Sequence, residues 1–265
     1  MSGLDGRVGW RRRFVVCALT SVCLNGLFSA SAHSQWTTRG APSDKGWRFA
    51  VTPYLWLAGL KGDVGVGPLV SSIDLSPSDV LDHLQFAASL YGEVRRQWFV
   101  GGIDALYVSV GGAKAIVFRG DTGSFNLANR QTILNPFVGY SVGNATWTLD
   151  VLAGTRYWRS KDRLTVDRPN GQSRDFTSTI DWWDALGGLR LTGIIVPRLR
   201  FTAGGDAGGG GAKSDWQLHG DVGYDVSSRW TVGVAYRFLS VDYTKTNFVQ
   251  DVDMKGFVLA GTYHF

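Results

Sequence analysis

Aromatic residues eight positions apart bracket four alternating segments of this chain: Phe99 and Tyr107, Trp216 and Tyr224, Trp230 and Phe238, Phe257 and Phe265. Eight residues of strand span roughly 26 Å, which a tilt of about 40° reduces to roughly 20 Å of height. An even separation puts both rings on one face of the strand. The interval therefore fits the apolar band, about 25 Å tall and edged by aromatic girdles, of a transmembrane β-barrel.

The residues between the rings obey the same rule. Trp230, Val232, Val234, Tyr236 and Phe238 share one face, and Thr231, Gly233, Ala235 and Arg237 the other. Leu149, Val151, Ala153, Thr155 and Tyr157 oppose Asp150, Leu152, Gly154, Arg156 and Trp158. Charge keeps to the face opposite the girdle, which is the apolar-out, polar-in pattern of such barrels. After residue 32 no run reaches the roughly 18 apolar residues of a membrane-spanning helix. The expected fold is an all-β, antiparallel, up-and-down transmembrane barrel over 47–265.

Ten strands are expected, near 47–59, 85–95, 98–110, 127–140, 146–159, 178–193, 199–208, 214–226, 229–243 and 255–265; eight or twelve also fit the pattern. Connections near Arg96, Gly143, Val196 and Ser227 are short, whereas 60–84, 111–126, 160–177 and 244–254 read as long outer loops, with 209–213 a brief one. Short periplasmic turns and an even strand number place both ends of the barrel on the periplasmic side. Trp47, Phe99, Tyr140, Trp147, Tyr224, Trp230 and Phe265 then form the periplasmic girdle. Pro53 and Pro136 fall inside expected strands and imply a bulge or a boundary. In the first loop, Leu69–Leu75 is β-like. Ser76, Pro77 and Asp79 then signal a short helix through a Ser cap, a first-position proline and an acid three residues after the cap.

Residues 1–32 are read as a secretory signal peptide. Arg11–Arg13 make its positive region, Phe14–Phe28 its short apolar stretch, and Ala30-Ser31-Ala32 its cleavage site. Residues 33–46 read as a flexible periplasmic linker. Cys17 and Cys23 both lie within the leader, and Val22 spoils a lipoprotein site at Cys23. The processed chain then has no thiol nucleophile, disulfide or thiolate metal site. The leader carries four Arg and one Asp, so the net charge falls from +5 to +5 − 3 = +2, and nucleic-acid binding is not expected.

Candidate chemistry is sparse. Gly205–Ser214 misses a phosphate-binding loop, because Ala212 breaks the Gly-Lys-Ser junction and a strand follows. His219, Asp206 and Asp221 could suggest a hydrolytic pair, but a polar network is the stronger reading. His83 beside Asp79 is a surface pair. So few histidines argue against zinc; no catalytic residue, metal or cofactor is assigned. The inward polar set is Arg48, Glu93, Arg95, Asp104, Asp150, Arg156, Asp184, Arg190, Asp206, His219, Asp221 and Arg237, the candidate lining of any pore. Its charges are mixed, five positive and six negative, where a selective pore is expected to show a ring of one sign. A lumen plugged by paired charges and a thin passive channel both fit.

The segments PYLWLAGLKG (53–62), LAGTRYW (152–158), WWDALGGLRL (182–191), GDAGGGG (205–211) and VAYRFLSVDY (234–243) resemble a widespread group of small, porin-like bacterial outer-membrane β-barrel proteins. The resemblance covers most of 47–265 and implies a barrel in the bacterial outer membrane. It brings no catalytic residue and no cargo. The alternating tail with Tyr263 and Phe265 likewise resembles the terminal signal recognised by barrel-assembly machinery. Expected partners are that machinery, outer-membrane lipid and lipopolysaccharide, for a monomer that binds no nucleic acid. The expected role is structural or that of a narrow passive channel, without enzymatic activity. Alternatives are a selective small-solute pore, a protease or lipid-modifying hydrolase, and an adhesin-like protein acting through its loops.

Cleavage after Ala32 should leave a cysteine-free chain beginning near His33. The intact mass of protein from outer-membrane fractions checks this; retention of residues 1–32, or a lipid on Cys23, would refute it.

Overall fold

The computed structural model describes residues 42–66, 69–118, 121–167, 173–245 and 248–265. The expected leader and most of the expected linker lie outside these residues.

One antiparallel sheet runs β1 (Arg48–Val66), β2 (Leu69–Leu75), β3 (Leu84–Arg96), β4 (Phe99–Phe118), β5 (Asp121–Gly143), β6 (Trp147–Asp167), β7 (Ser173–Val196), β8 (Leu199–Gly210), β9 (Ser214–Asp225), β10 (Trp230–Lys245) and β11 (Phe248–His264). A one-turn helix, α1 (Pro77–Leu81), sits between β2 and β3. From β3 to β11 each strand pairs with its sequence neighbours, β3 also pairs with β1, and β11 pairs with β1 from Ala50↔His264 to Val66↔Phe248, closing the cylinder. β2 pairs only with the outer part of β1, so ten of the eleven strands build the wall. Closure matters because hydrocarbon offers no partner to a free backbone N–H or C=O.

The wall faces two solvents. Val222, Val232, Val234, Phe257 and Leu259 are exposed on the outside, while their alternate neighbours are buried inside. Aromatic contacts gather in two rings. Trp47 meets Phe99, Trp98 stacks on Tyr140, and Trp230 meets Tyr263 at the end with the short turns. Phe86–Tyr107, Tyr157–Trp183, Trp216–Phe238 and Tyr236–Phe257 form the other ring. The first ring contains Trp47, Phe99, Tyr140 and Trp230 of the expected periplasmic girdle, and the described chain begins and ends beside it, where Phe265 N–H donates to the Phe49 carbonyl at 3.1 Å.

Most of the expected long loops are strand instead. β4 and β5 stay paired from Phe99↔Tyr140 to Phe118↔Asp121, and β6 and β7 from Trp147↔Gly193 to Asp167↔Ser173. β10 and β11 likewise pair out to Lys245↔Phe248. Beyond the membrane a hairpin satisfies its own amides, so polar residues in these stretches mark water rather than the end of a strand. The expected helix is present with a full capping box. Asp79 N–H donates to Ser76 Oγ at 3.3 Å and Ser76 N–H to Asp79 Oδ2 at 2.8 Å. The Ser76 hydroxyl and backbone hold the Asp79 carboxyl below its ordinary range. This cap is intact above the carboxylate range and weakens as pH falls through it. His83 Nδ1 reaches the Asp79 carbonyl at 2.9 Å rather than its carboxylate, which corrects the expected side-chain pair.

Both internal prolines interrupt pairing. The β1–β3 ladder ends at Pro53↔Leu90, and the β5–β6 ladder skips Asn135 and Pro136 between Leu134↔Tyr157 and Phe137↔Gly154. Glycine is required where walls approach most closely. A β-carbon at Gly256 on β11 would collide with the Leu57 carbonyl oxygen and lie 2.7 Å from Ala58 Cα on β1.

Gly256→Ala should therefore disfavour closure at β11–β1 by about 1–3 kcal/mol. Heat-modifiable gel mobility reads this as a lower transition temperature; an unchanged transition would show that this approach carries no packing constraint.

Candidate functional site

The interior is lined by buried side chains, among which charge and ring stacking separate by height. Nearest the periplasmic girdle, β3 supplies Tyr91, Glu93 and Arg95, β5 Ser141, β6 Asp150 and β7 Arg190, because alternate positions of every strand point inward. Arg95 clasps Asp150 with two bonds, Nη1 to Oδ1 at 3.0 Å and Nη2 to Oδ2 at 2.6 Å, and its Nε donates to Glu93 at 2.7 Å. Arg190 donates to Asp150 (2.9 Å), Glu93 (2.8 Å) and the Tyr91 hydroxyl (2.9 Å). Tyr91 passes its own proton donor on to Glu93 at 2.7 Å. Two cations thus share two carboxylates. Phe137, stacked on Tyr91 at 5.8 Å and lying 5.8 Å from the Arg190 guanidinium carbon, closes one side of this layer.

A second charged layer lies further out. Arg156 Nη2 donates to Asp206 at 3.0 Å and its Nη1 pairs with Asp215. Gln217 caps the other Asp206 oxygen at 2.5 Å. The Tyr54 hydroxyl donates to Asp104 at 2.9 Å, and Arg237 lies 5.5 Å from the Trp56 ring centre and 6.0 Å from that of Tyr54. Asp184 accepts from Trp182 Nε1 at 2.9 Å and from the Ala212 amide at 2.8 Å, tying down the β8–β9 turn.

Above this the lumen is aromatic. Trp158 stacks on Trp182 at 5.2 Å, Trp182 on Tyr243 at 4.1 Å, and Tyr243 meets Phe248 edge-on at 5.8 Å. β8 and β9 stop at twelve residues each. Trp182 on β7 and Tyr243 on β10 meet beside the turn that joins them. Leu60, Leu239 and Met254 complete this apolar layer.

Every residue of the expected inward set faces the interior. Eleven of the twelve are buried and Arg48 is half-buried, paired with Asp44 at 2.7 Å near the periplasmic rim. They do not form one site. Arg95, Glu93, Asp150 and Arg190 make one cluster, and Arg156, Asp184, Asp206 and Asp104 belong to the next. His219 stands at mid-barrel opposite Gly204 and Arg237, and Asp221 lies beside Thr202. The near-balance of charge expected from sequence needs correction. Among the described residues, eight carboxylates (Glu93, Asp104, Asp150, Asp184, Asp206, Asp215, Asp221, Asp225) and four arginines (Arg95, Arg156, Arg190, Arg237) are buried.

Sequence reasoning placed Trp158 on the inward face but missed Asp215, Asp225, Tyr54, Tyr91 and Trp182. The two aspartates share the alternation of His219 and Asp221 and were legible from it. The stacking of the rings was not, because alternation gives the face of a strand and not the neighbour across the lumen. Among the described residues no cluster of His, Cys, Asp and Glu is arranged to hold a metal ion.

A closed cylinder with an apolar belt, two aromatic girdles and a charged interior is chemically consistent with lipid outside and a polar lumen inside. It defines an integral β-barrel of the bacterial outer membrane. No protein-family model matches the chain, and no curated protein matches it in sequence. Among solved structures it is similar to the translocator domain of autotransporter NalP from Neisseria meningitidis (14% identity, 96% of each chain, TM-score 0.43). It is also similar to the outer membrane protease OmpT from Escherichia coli (12% identity, 88% of this chain and 100% of that one, TM-score 0.40). A third is Ail, the attachment invasion locus protein of Yersinia pestis (10% identity, 83% and 99%, TM-score 0.32).

Arg190→Ala strips Glu93 and Asp150 of a shared partner and should cost about 3–5 kcal/mol. Arg200→Ala, which removes a partly exposed ion pair to Asp225, should cost about 0–1 kcal/mol. Urea unfolding of the refolded barrel measures both; equal effects would show that the buried network does not hold the lumen together.

Proposed function

We propose that the protein is a structural outer-membrane barrel without enzymatic activity. Its lumen is closed to ions, and the barrel serves as a rigid base for the β-hairpins that stand above the outer girdle. The observation that carries this is the burial of Arg156, Arg190 and Arg237, each at 0–1% exposure in the interior. A conducting water column would have to wet at least some of these side chains. Instead their charges are met by carboxylates, a hydroxyl and rings, and the aromatic layer lies across the column above them. The passive-channel and selective-pore readings both need a wetted path, so the geometry favours the structural one.

A binding role for the outer hairpins draws on their height. From the girdle pair Tyr157↔Trp183 the β6–β7 hairpin continues to Asp167↔Ser173, about 25 Å after allowing for strand tilt. Its exposed outer part is stiffened by Asp175, which accepts from Thr165 at 2.6 Å and pairs with Arg163. His219, enclosed at mid-barrel, has no approach for a peptide or lipid substrate, which supports the non-enzymatic reading.

Single-channel recording in planar bilayers tests the proposal. Wild-type barrel should give little or no current. Trp182→Ala combined with Tyr243→Ala should open a small conductance that favours cations, since buried carboxylates outnumber arginines. A large, stable wild-type conductance would overturn the closed-lumen reading.

A further inference from the structure

Cations crowd the outward face of β5 and β6 immediately above the outer aromatic ring. Beyond Tyr157, the outward positions of β6 are Arg159, Lys161 and Arg163, and the outward position of β5 above Thr132 is Arg130; all four cations are exposed. Arg130 stands directly opposite Lys161, and Thr132 opposite Arg159. Arg130 is therefore the cross-strand partner of one cation and the diagonal neighbour of another. Asp175 neutralises Arg163. Asp181 lies across the β6–β7 ladder from Arg159. Among the described residues, however, none of Arg130, Arg159 and Lys161 forms an ion pair with a carboxylate. Even with Asp181 counted, the patch carries 3 − 1 = +2.

Like charges directly opposite one another weaken a strand pair. Elsewhere above the outer ring, cations have partners: Lys61 has Asp74 and Lys213 has Asp242. Half-way round the cylinder, Lys255 follows Phe257 of the same ring as Arg159 follows Tyr157, but Asp251 and Asp253 lie just beyond it, with Asp63 and Asp242 both opposite Asp251. The excess of positive charge is thus local to β5 and β6. Its level is also defined. Arg159 and Lys161 lie two and four residues past the ring, which is roughly 5 and 10 Å in height after allowing for tilt. A headgroup layer occupies roughly 5–8 Å beyond the hydrocarbon. These side chains therefore stand at the level of lipid phosphates, on the face turned toward lipid.

We infer that Arg130, Arg159 and Lys161 bind a phosphate of an outer-leaflet lipopolysaccharide, whose acyl chains lie against Leu134, Tyr157 and Trp183 below. Guanidinium groups match phosphate oxygens with paired donors, and the lysine adds a point charge. A bound phosphate also offsets the repulsion between Arg130 and Lys161. The lipid source follows from continuity: Leu134 pairs with Tyr157, and Tyr157 with Trp183, on the outward face directly beneath the cations. This holds whether or not the lumen conducts.

The test is native mass spectrometry of the purified, delipidated full barrel in detergent, with bisphosphorylated lipid A as the probe. Wild-type barrel should retain one lipid A, and phosphatase-treated lipid A should bind several-fold more weakly. Arg159→Gln and Lys161→Gln should each lower retention about five-fold, whereas Lys161→Arg should preserve it. Lys255→Gln, at the same height on the far wall, should change nothing. Inorganic phosphate alone should not displace the lipid, because it cannot replace the contacts of the acyl chains. Heat-modifiable mobility identifies folded variants, and the phosphatase comparison needs no variant at all. Equal binding of dephosphorylated lipid A would overturn the inference. So would an equal loss from Lys255→Gln, which would mark a diffuse charge effect, or displacement by inorganic phosphate, which would mark a free-anion site.

Discussion

In hydrocarbon no water stands ready to accept or donate a hydrogen bond, so each backbone amide of a spanning strand must find its partner in the protein. The closed sheet, with β11 paired back to β1, meets most of that demand, and most other features answer to it. It explains why glycine sits at the tightest approach across the closing pair, where a side chain would hold β11 off β1. It also explains why Pro53 and Pro136 coincide with interruptions of pairing rather than lying harmlessly within it.

The interior obeys a second demand. Charges taken out of water are tolerated only when each meets an opposite charge or a hydrogen bond. The periplasmic layer does this by sharing, with Arg95 and Arg190 both bound to Asp150 and Glu93. Such a network is rigid, because moving one guanidinium exposes two carboxylates. The aromatic layer above it is held by a different term, the packing of Trp158, Trp182 and Tyr243. Separating the two by height puts the ionic layer beside the periplasm and the apolar layer toward the outer end. The short β8–β9 hairpin allows that arrangement, since it lets β7 and β10 bring their rings together.

Strand number, membrane residence, the facing of the charged residues and the capped helix were all legible in the sequence. Each depends on a local period: two residues per side-chain face, eight per crossing, three from cap to acid. Arg156 or Asp184 can be assigned to the interior without knowing what it touches. The partners and the layering were decided only by tertiary structure. Arg190 is 97 residues from Glu93 and 40 from Asp150, and only the curvature of the barrel brings the three together. The ladder ends were equally hidden, because a proline in a strand predicts a break but not which neighbouring pairing ends there. Alternation fixes the side of the wall that a residue occupies. Height, tilt and closure fix its neighbours, and these arise from the whole sheet rather than from any one strand.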